Sequence, residues 1–419
     1  MLIAFAQPMA QSGDSLRIED VVAEVIKNND RLAAARYMEQ SAGLKIGPAG
    51  AWDDPMLMAG VSGLPTSFDF KMDNMTMKMI GLSQNIPYAG YKKLQSQAAR
   101  SDARVSAEER RQVELELVAT AKTAFYELYF RGLILNELKR QHEILEEVIK
   151  SIAGRLKSNQ ATQADLLASQ AELWRLESEI LSAEQALDEA RYNINALRGA
   201  EIDSPLPIPA EPFIPSIPEN FDVWLNAALA NYPELQKTQH QFESYTFAAR
   251  ASSRMQWPML GLSANYGFRE AGPMGPRDDM IGFQATLSLP FFSGRAQGKM
   301  ANSMDAMSQS MVAEARQIRR DVEARLRSLY KRSVRLTESL RLYRERIIST
   351  SNEAYRTALA DYTAGRIPLT TLLGYATMIY SDNITGHQIA NELAKTLAEV
   401  DKYIAAPESF GGDSLLKTK

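Results

Sequence analysis

Two periodicities divide this chain. Over long stretches apolar residues return every three or four positions, the spacing of a helix buried along one stripe. Over two short stretches they alternate with small or polar residues, the spacing of a strand with two unlike faces. The first helical stretch runs from Leu16 to about Ile46, with Val21, Val22, Val25, Ile26, Leu32 and Ala35 in phase, and Gly47-Pro48 breaks it. From about Lys92 to Lys157 there is no proline and almost no glycine. That predicts one helix of roughly 100 Å at ~1.5 Å per residue. Ser158-Asn159-Gln160 reads as a turn, since Asn tolerates left-handed backbone. The next helix, about Thr162 to Arg198, carries Leu166, Leu173, Ile180, Leu187 and Ile194 seven apart, with Ser169, Leu176, Ala183, Ala190 and Leu197 on the other seam position. That is a coiled-coil pattern whose small residues permit close helix approach.

The alternating stretches lie between Trp52 and Gly90 and between Trp257 and Gly294, and each predicts a β-hairpin. They are copies. Pro55 and Pro258 are 203 positions apart, as are Pro87 and Pro290, Asn28 and Asn231, and Leu32 and Leu235. The segment between Gly199 and Glu219 holds six prolines and reads as a stiff linker. After it the plan repeats: a helix from about Phe221 to Met255, the second hairpin, a long helix from about Ala296 to Ala364, a turn at Ala364-Gly365-Arg366, and a last helix from about Leu369 to Tyr403. Leu372, Ile379, Leu393 and Val400 fall 206 positions after the first copy's seam, although Gly386 and Asp382 weaken it there. The chain thus divides into 1–15 (a signal remnant or flexible start), 16–199 (first repeat), 200–218 (linker), 219–404 (second repeat) and 405–419 (flexible tail). In each repeat the two shorter helices together match the long one, which suggests a rod with hairpins at one end and helix turns at the other.

The hairpins set the functional question. In the second copy Leu260, Leu262, Ala264, Tyr266 and Phe268 share one face with Ile281, Phe283, Ala285 and Leu287. The opposite face is small and polar. The first copy departs from this, since Lys78 and Gln84 fall on its nominal apolar face, so that strand sits askew or nearer an interface. A half-buried sheet in a soluble domain is the ordinary explanation. Two such hairpins on very long helices have no evident soluble core to cover. Strands of about ten residues can cross a bilayer when tilted. Four strands cannot close a membrane barrel, which takes at least about eight, and open edges are not tolerated in lipid. Three copies would supply twelve.

Composition narrows the alternatives. The formal net charge is −4 and 23% of residues are charged, so nothing points to nucleic acid. Cysteine is absent, which removes disulfides, thiolate metal sites, cysteine nucleophiles and a cysteine-borne lipid anchor. His142, His240 and His387 are scattered without ligand spacing, and no hydrolase, zinc-protease or nucleotide-binding motif is present. Neither catalysis nor a cofactor is expected. No apolar run approaches the ~18 residues of a spanning helix. The start, with Ala4-Phe5-Ala6, resembles the tail of a secretory signal lacking its basic region. Methionine is unusual: Met56, Met58, Met75, Met77 and Met79 crowd the first hairpin, on the polar parity. Thioethers suit Cu(I) or Ag(I), or simply fill irregular gaps.

With its doubled hairpin-and-helix plan, its Pro-x-x-Gly exits and its two turns, SNQATQADLLASQAEL and YTAGRIPLTTLLGYAT, the chain resembles the TolC-like outer-membrane efflux family from about Leu16 to Tyr403. The resemblance implies a mainly α fold with a membrane β-barrel portion: long antiparallel helices forming a trimeric α-barrel continuous with a 12-stranded barrel, four strands per chain. It implies a homotrimer in the outer membrane of a Gram-negative bacterium with a large periplasmic portion. Its partners would be a periplasmic adaptor and, through it, an inner-membrane pump of the RND or ABC type, in efflux or type I secretion. The family's first turn has Gly and Leu where this chain has Asn159 and Gln160; with Gly365 these are the expected adaptor-docking turns. Asp165, Tyr362 and Gly365 match family positions. A family aspartate pair falls here on Thr371 and Gly374, and a nearby arginine on Ile367, next to Arg366, so a double-aspartate gate is not expected. Asp165, Tyr362 and Arg366 are the gate candidates, with plain surface charge the alternative for the first and last. Pro55, Pro87, Pro258 and Pro290 mark the barrel–helix transitions. An adaptor or a coiled-coil scaffold are the competing readings. Adaptors normally carry one helical hairpin with lipoyl-like segments, and a scaffold leaves the hairpins unexplained.

Overall fold

The computed structural model describes residues 15–158, 161–272 and 275–404. The proposed signal remnant, the tail, Asn159 and Gln160 lie outside the described residues. The elements are α1 (Ile18–Asn28), α2 (Asp30–Leu44), α3 (Ile46–Gly50), β1 (Met56–Ser62), β2 (Met77–Ile86), α4 (Tyr91–Lys157), α5 (Gln163–Leu197), α6 (Phe221–Asn231), α7 (Pro233–Arg254), β3 (Leu260–Phe268), β4 (Met280–Leu287), α8 (Gln297–Leu342), a π-helical turn (Tyr343–Ile347), α9 (Ile348–Thr363) and α10 (Leu369–Ile404).

Three stretches expected as single helices are interrupted, each for a local reason. Asn29 adopts extended backbone after α1. Its side-chain oxygen accepts from the amides of Arg31 and Leu32, so it caps α2. In the second repeat Tyr232 is extended because Pro233 follows it, and Pro233 opens α7, where its missing N–H costs nothing. The long helix of the second repeat is interrupted by the π-helical turn at Tyr343–Ile347. Its counterpart α4 runs unbroken for 67 residues.

The fold comprises two compact units, each drawing on both repeats. One takes the chain up to Ala34, Arg111–Tyr232, and Arg320 onward. It is helical. Antiparallel α4 and α5 pack Leu138 and Leu145 against Leu176, with Leu173, Ile180 and Ala183 alongside, so the seven-residue pattern is a real seam. Lys139–Glu184, at 2.7 Å, flanks it. Farther along α4, Leu115, Val118, Ala121, Phe125 and Leu128 are buried, as are Ala390, Leu393, Ala394, Leu397 and Val400 of α10. Glu127 ties α4 to α10, accepting from Asn391 and Lys395, both at 3.0 Å, and Lys122 pairs with Asp401 at 2.5 Å. Gly386 has a packing role: a Cβ there would lie 3.3 Å from Ile348. The proline-rich linker is fixed to this unit. Leu16 donates to the carbonyl of Ile208 and accepts from the amide of Ala210, Asn195 donates to the carbonyls of Ile202 and Ser204, and Tyr330 donates to those of Pro218 and Glu219.

The other unit takes Ala35–Arg110 and Pro233–Arg319. It contains one four-stranded antiparallel sheet in the order β1-β2-β3-β4, so the two hairpins lie side by side through a β2–β3 seam. Ion pairs Arg110–Glu39 and Arg104–Glu243 join its helical segments.

Candidate functional site

Register assigns every strand residue to a face, because directly paired residues point the same way. One face carries Leu57, Ala59 and Val61 of β1, Ile80, Leu82 and Ile86 of β2, the even positions Leu260 to Phe268 of β3, and Ile281, Phe283, Ala285 and Leu287 of β4. Nothing among the described residues covers it: Phe283 is 84% exposed, Leu57 70% and Ile281 66%. The other face carries Met56, Met58, Gly60 and Ser62, then Met77, Met79, Gly81, Ser83 and Asn85, then Gly261, Ser263, Asn265 and Gly267, then Met280, Gly282, Gln284 and Thr286.

Lys78 and Gln84 do lie on the apolar face, and the structure shows how each is accommodated. Lys78 pairs with Phe268 at the loop end of the sheet. There its ammonium meets Glu270 at 2.6 Å and stands 4.8 Å over the Phe70 ring. Gln84, near the other end, donates to the carbonyl of Asp53 at 2.8 Å. The strand is not askew; its polar residues sit toward the two rims, and Ile80 and Leu82 fill the span between. Beyond one rim the loops after β1 and β3 are joined by arginines: Arg269 donates to the carbonyl of Asn74, and Arg277 to those of Asp73 and Lys71. Beyond the other rim are the four prolines. Pro55 immediately precedes β1 and Pro87 immediately follows β2, while Pro258 and Pro290 flank β3 and β4. Lacking an N–H, each marks where ladder pairing stops. Trp52, Trp257, Phe291 and Phe292 stand exposed beside them.

In the helical unit the two helix turns share one apolar cluster. Ala161 and Leu166 from the first pack with Tyr362, Ile367, Leu369 and Leu372 from the second, around fully buried Ile152. Gly365, at φ +73°, ends α9 in left-handed backbone. Its N–H donates to Tyr362 and that of Arg366 to Asp361, the usual closure of a helix on glycine. The three gate candidates are placed separately. Tyr362 is buried, with the Arg155 guanidinium 4.6 Å over its ring and donating to its carbonyl. Asp165 forms a capping box with Thr162 at the start of α5. The Thr162 amide, then its hydroxyl, hold that carboxyl below the ordinary aspartate range. Arg366 pairs with Asp361 at 2.6 Å. Thr371 and Gly374 are exposed on α10. Arg155 is the residue that sequence reasoning missed. A basic side chain in a helix's last turn is visible in sequence, but its ring and carbonyl partners 207 positions away are not.

Among the described residues no group of three His, Asp or Glu is arranged to hold a metal, and no helix is long and apolar enough to cross a membrane. The strands carry an exposed apolar face instead. Residues 224–406 match the family model described as outer membrane efflux protein. That stretch, most of the second repeat, is similar to the outer membrane efflux proteins. Solved structures extend that fold over the first repeat. A membrane protein from Pseudomonas aeruginosa matches with a TM-score of 0.78 at 17% identity over 100% of both chains. The open state of the Neisseria gonorrhoeae MtrE outer membrane channel gives 0.75 at 16%, over 93% of this chain and 89% of that one. CusC, solved in work on folding and transmembrane channel formation, gives 0.76 at 14%, over 92% and 91%. A search of curated protein sequences returns no match.

Proposed function

We propose that three copies of this chain close a passive exit duct through the outer membrane. A periplasmic adaptor and an inner-membrane pump, of the RND or ABC type, would deliver substrates to it. The observation that carries this reading is the sheet. Among the described residues it has one uncovered face that is apolar between its rims, one face of small, polar and thioether residues, and unpaired edges on β1 and β4. Exposed apolar strands are stable in lipid only if every backbone group is paired, hence only in a closed barrel. The apolar face then meets lipid and the polar face lines the pore. Trp52, Trp257, Phe291 and Phe292 suit one membrane–water interface, where aromatic rings concentrate.

The helices support association between copies. On α5, Leu167, Trp174 and Leu181 form an exposed stripe seven apart, 55%, 63% and 67% exposed. Their counterparts 206 positions later are Leu373, Tyr380 and His387. Leu373 packs into the α4–α5 seam, and Tyr380 is buried beside Gln141, Ile144 and Glu172. The second repeat's stripe is thus covered by the first repeat, and the first repeat's stripe suits the second repeat of another copy. In this reading Asn159, Gln160 and Gly365 belong to the adaptor-facing turns, and Asp165, Tyr362 and Arg366 to the tip. Fractionation tests the assignment. A duct runs as a heat-modifiable trimer in the outer-membrane fraction and restores efflux to a strain lacking its own exit channel. A soluble monomer defeats it, as does an outer-membrane trimer that restores no efflux.

A further inference from the structure

The polar face of the sheet holds a feature that neither the fold nor the barrel requires. Three methionines border one glycine. Gly267 of β3 is paired on one side with Met79 of β2 and on the other with Met280 of β4. Met77, two residues before Met79, leans across from the adjacent register, and its sulfur lies 2.7 Å from where a Cβ on Gly267 would stand. Gly60 on β1 faces Met79 from its other side. Paired Cα atoms in an antiparallel sheet are ~4.5–5.5 Å apart, and a methionine side chain spans about that distance, with three freely rotating bonds. Three neutral, soft sulfur donors can therefore meet above the bare backbone of Gly267. Met58 stands one diagonal away, opposite Gly81, while Met56 is a further pair removed, opposite Ser83.

We propose that Met77, Met79 and Met280 form a thioether site for a soft monovalent cation, Cu(I) or Ag(I), on the polar face of the sheet. Thioethers favour such ions over the harder divalent metals, which prefer nitrogen and oxygen. An uncharged donor set also allows an ion to leave as readily as it enters, as passage through a pore requires. No redox step is involved; the ion enters and leaves as the same species. The site makes soft metal ions one substrate class of the duct, and to that extent it rests on the reading above.

The test is a titration of the purified, full-length protein in detergent with Ag(I) in chloride-free buffer, competed by a soluble thioether. The expected result is one saturable site per chain. It should weaken by more than about tenfold in the Met77→Leu/Met79→Leu/Met280→Leu variant and be unchanged in Met38→Leu/Met300→Leu, which alters exposed helical methionines. Gly267→Ala is the second variant. It keeps every sulfur but puts a Cβ 2.7 Å from where the Met77 sulfur lies, which displaces that sulfur, and it too should weaken binding. A triple variant that still forms trimers and binds silver like the parent overturns the site. So does a parent protein that binds none. Silver binding by a chain that never reaches the outer membrane would defeat the duct but not the site; an outer-membrane trimer blind to silver would do the reverse.

Discussion

Phe283 and Gln284 are adjacent on β4 and point to opposite faces. They offer a direct measurement of which face meets lipid. Phe283 pairs with Ala264, which pairs with Leu82, which pairs with Leu57, so it sits in the middle row of the apolar face. It is 84% exposed in the chain. Replacing it therefore breaks little internal packing, and nearly all the cost is transfer. A lysine at the bilayer midplane of a barrel costs about 2–4 kcal/mol, and the lost phenylalanine burial adds ~1.5–3 kcal/mol. Phe283→Lys should then destabilise each chain by roughly 4–7 kcal/mol, and a trimer three times over. Gln284→Lys, one residue on and also exposed, should cost less than about 1 kcal/mol. The natural Lys78 differs in position, because it occupies the same face at the rim, where it reaches Glu270. The assay is urea-dependent folding into lipid vesicles, read by heat-modifiable mobility. Equal midpoints for the two variants, or the larger loss in Gln284→Lys, would refute the assignment of faces.

Ile152→Ala removes a fully buried side chain from the cluster joining the two helix turns. It should cost about 2–5 kcal/mol in thermal unfolding and loosen both turns in hydrogen exchange; protection lost at only one turn would contradict a shared cluster. Asp165→Ala removes the capping box and should cost about 0.5–2 kcal/mol with fraying at the start of α5. Because the folded aspartate's pKa is lowered, its contribution is full above the ordinary carboxylate range and disappears as pH falls through the lower, folded-state value. Burial pushes the Glu127 carboxyl upward, but hydrogen bonds from Asn391, Lys395 and Arg131 outweigh it and bring the pKa down to about 2. The α4–α10 tie should therefore persist above the ordinary glutamate value and fail progressively as pH drops toward about 2, whereas Glu127→Gln should flatten that acid limb of the stability profile.

Much of this fold was readable because its signals are long. The proline-free run expected from Lys92 to Lys157 became α4, Tyr91–Lys157. Alternation over nine residues fixed both faces of β3 before any partner was known. Interruptions were harder to see. Asn29 ends a helix only because its side chain turns to cap the next one, and nothing in the periodicity around Tyr343 announces a π-helical turn. Pro233 was legible in principle, since proline opens helices more readily than it sits inside them. The candidate site divides along the same line. Parity placed Met77 and Met79 correctly on the polar face, while the convergence of Met280 on Gly267 depends on register across two seams. Tyr362 could be read as a turn residue, but its burial under Arg155 comes from a helix 207 positions away in sequence.

The β2–β3 seam pairs Lys78 with Phe268, residues separated by 190 positions. A ribosome must therefore finish the first hairpin, the whole of α4 and α5, the linker, and α6 and α7 before β2 can find its neighbour. Throughout that interval β2 offers an open edge and the apolar residues Ile80 and Leu82 with nothing to shield them. Contacts this distant in sequence form slowly, and exposed strands of this kind aggregate. Holding the newborn chain unfolded until its second hairpin arrives would avoid that hazard, so its yield should respond to chaperone supply.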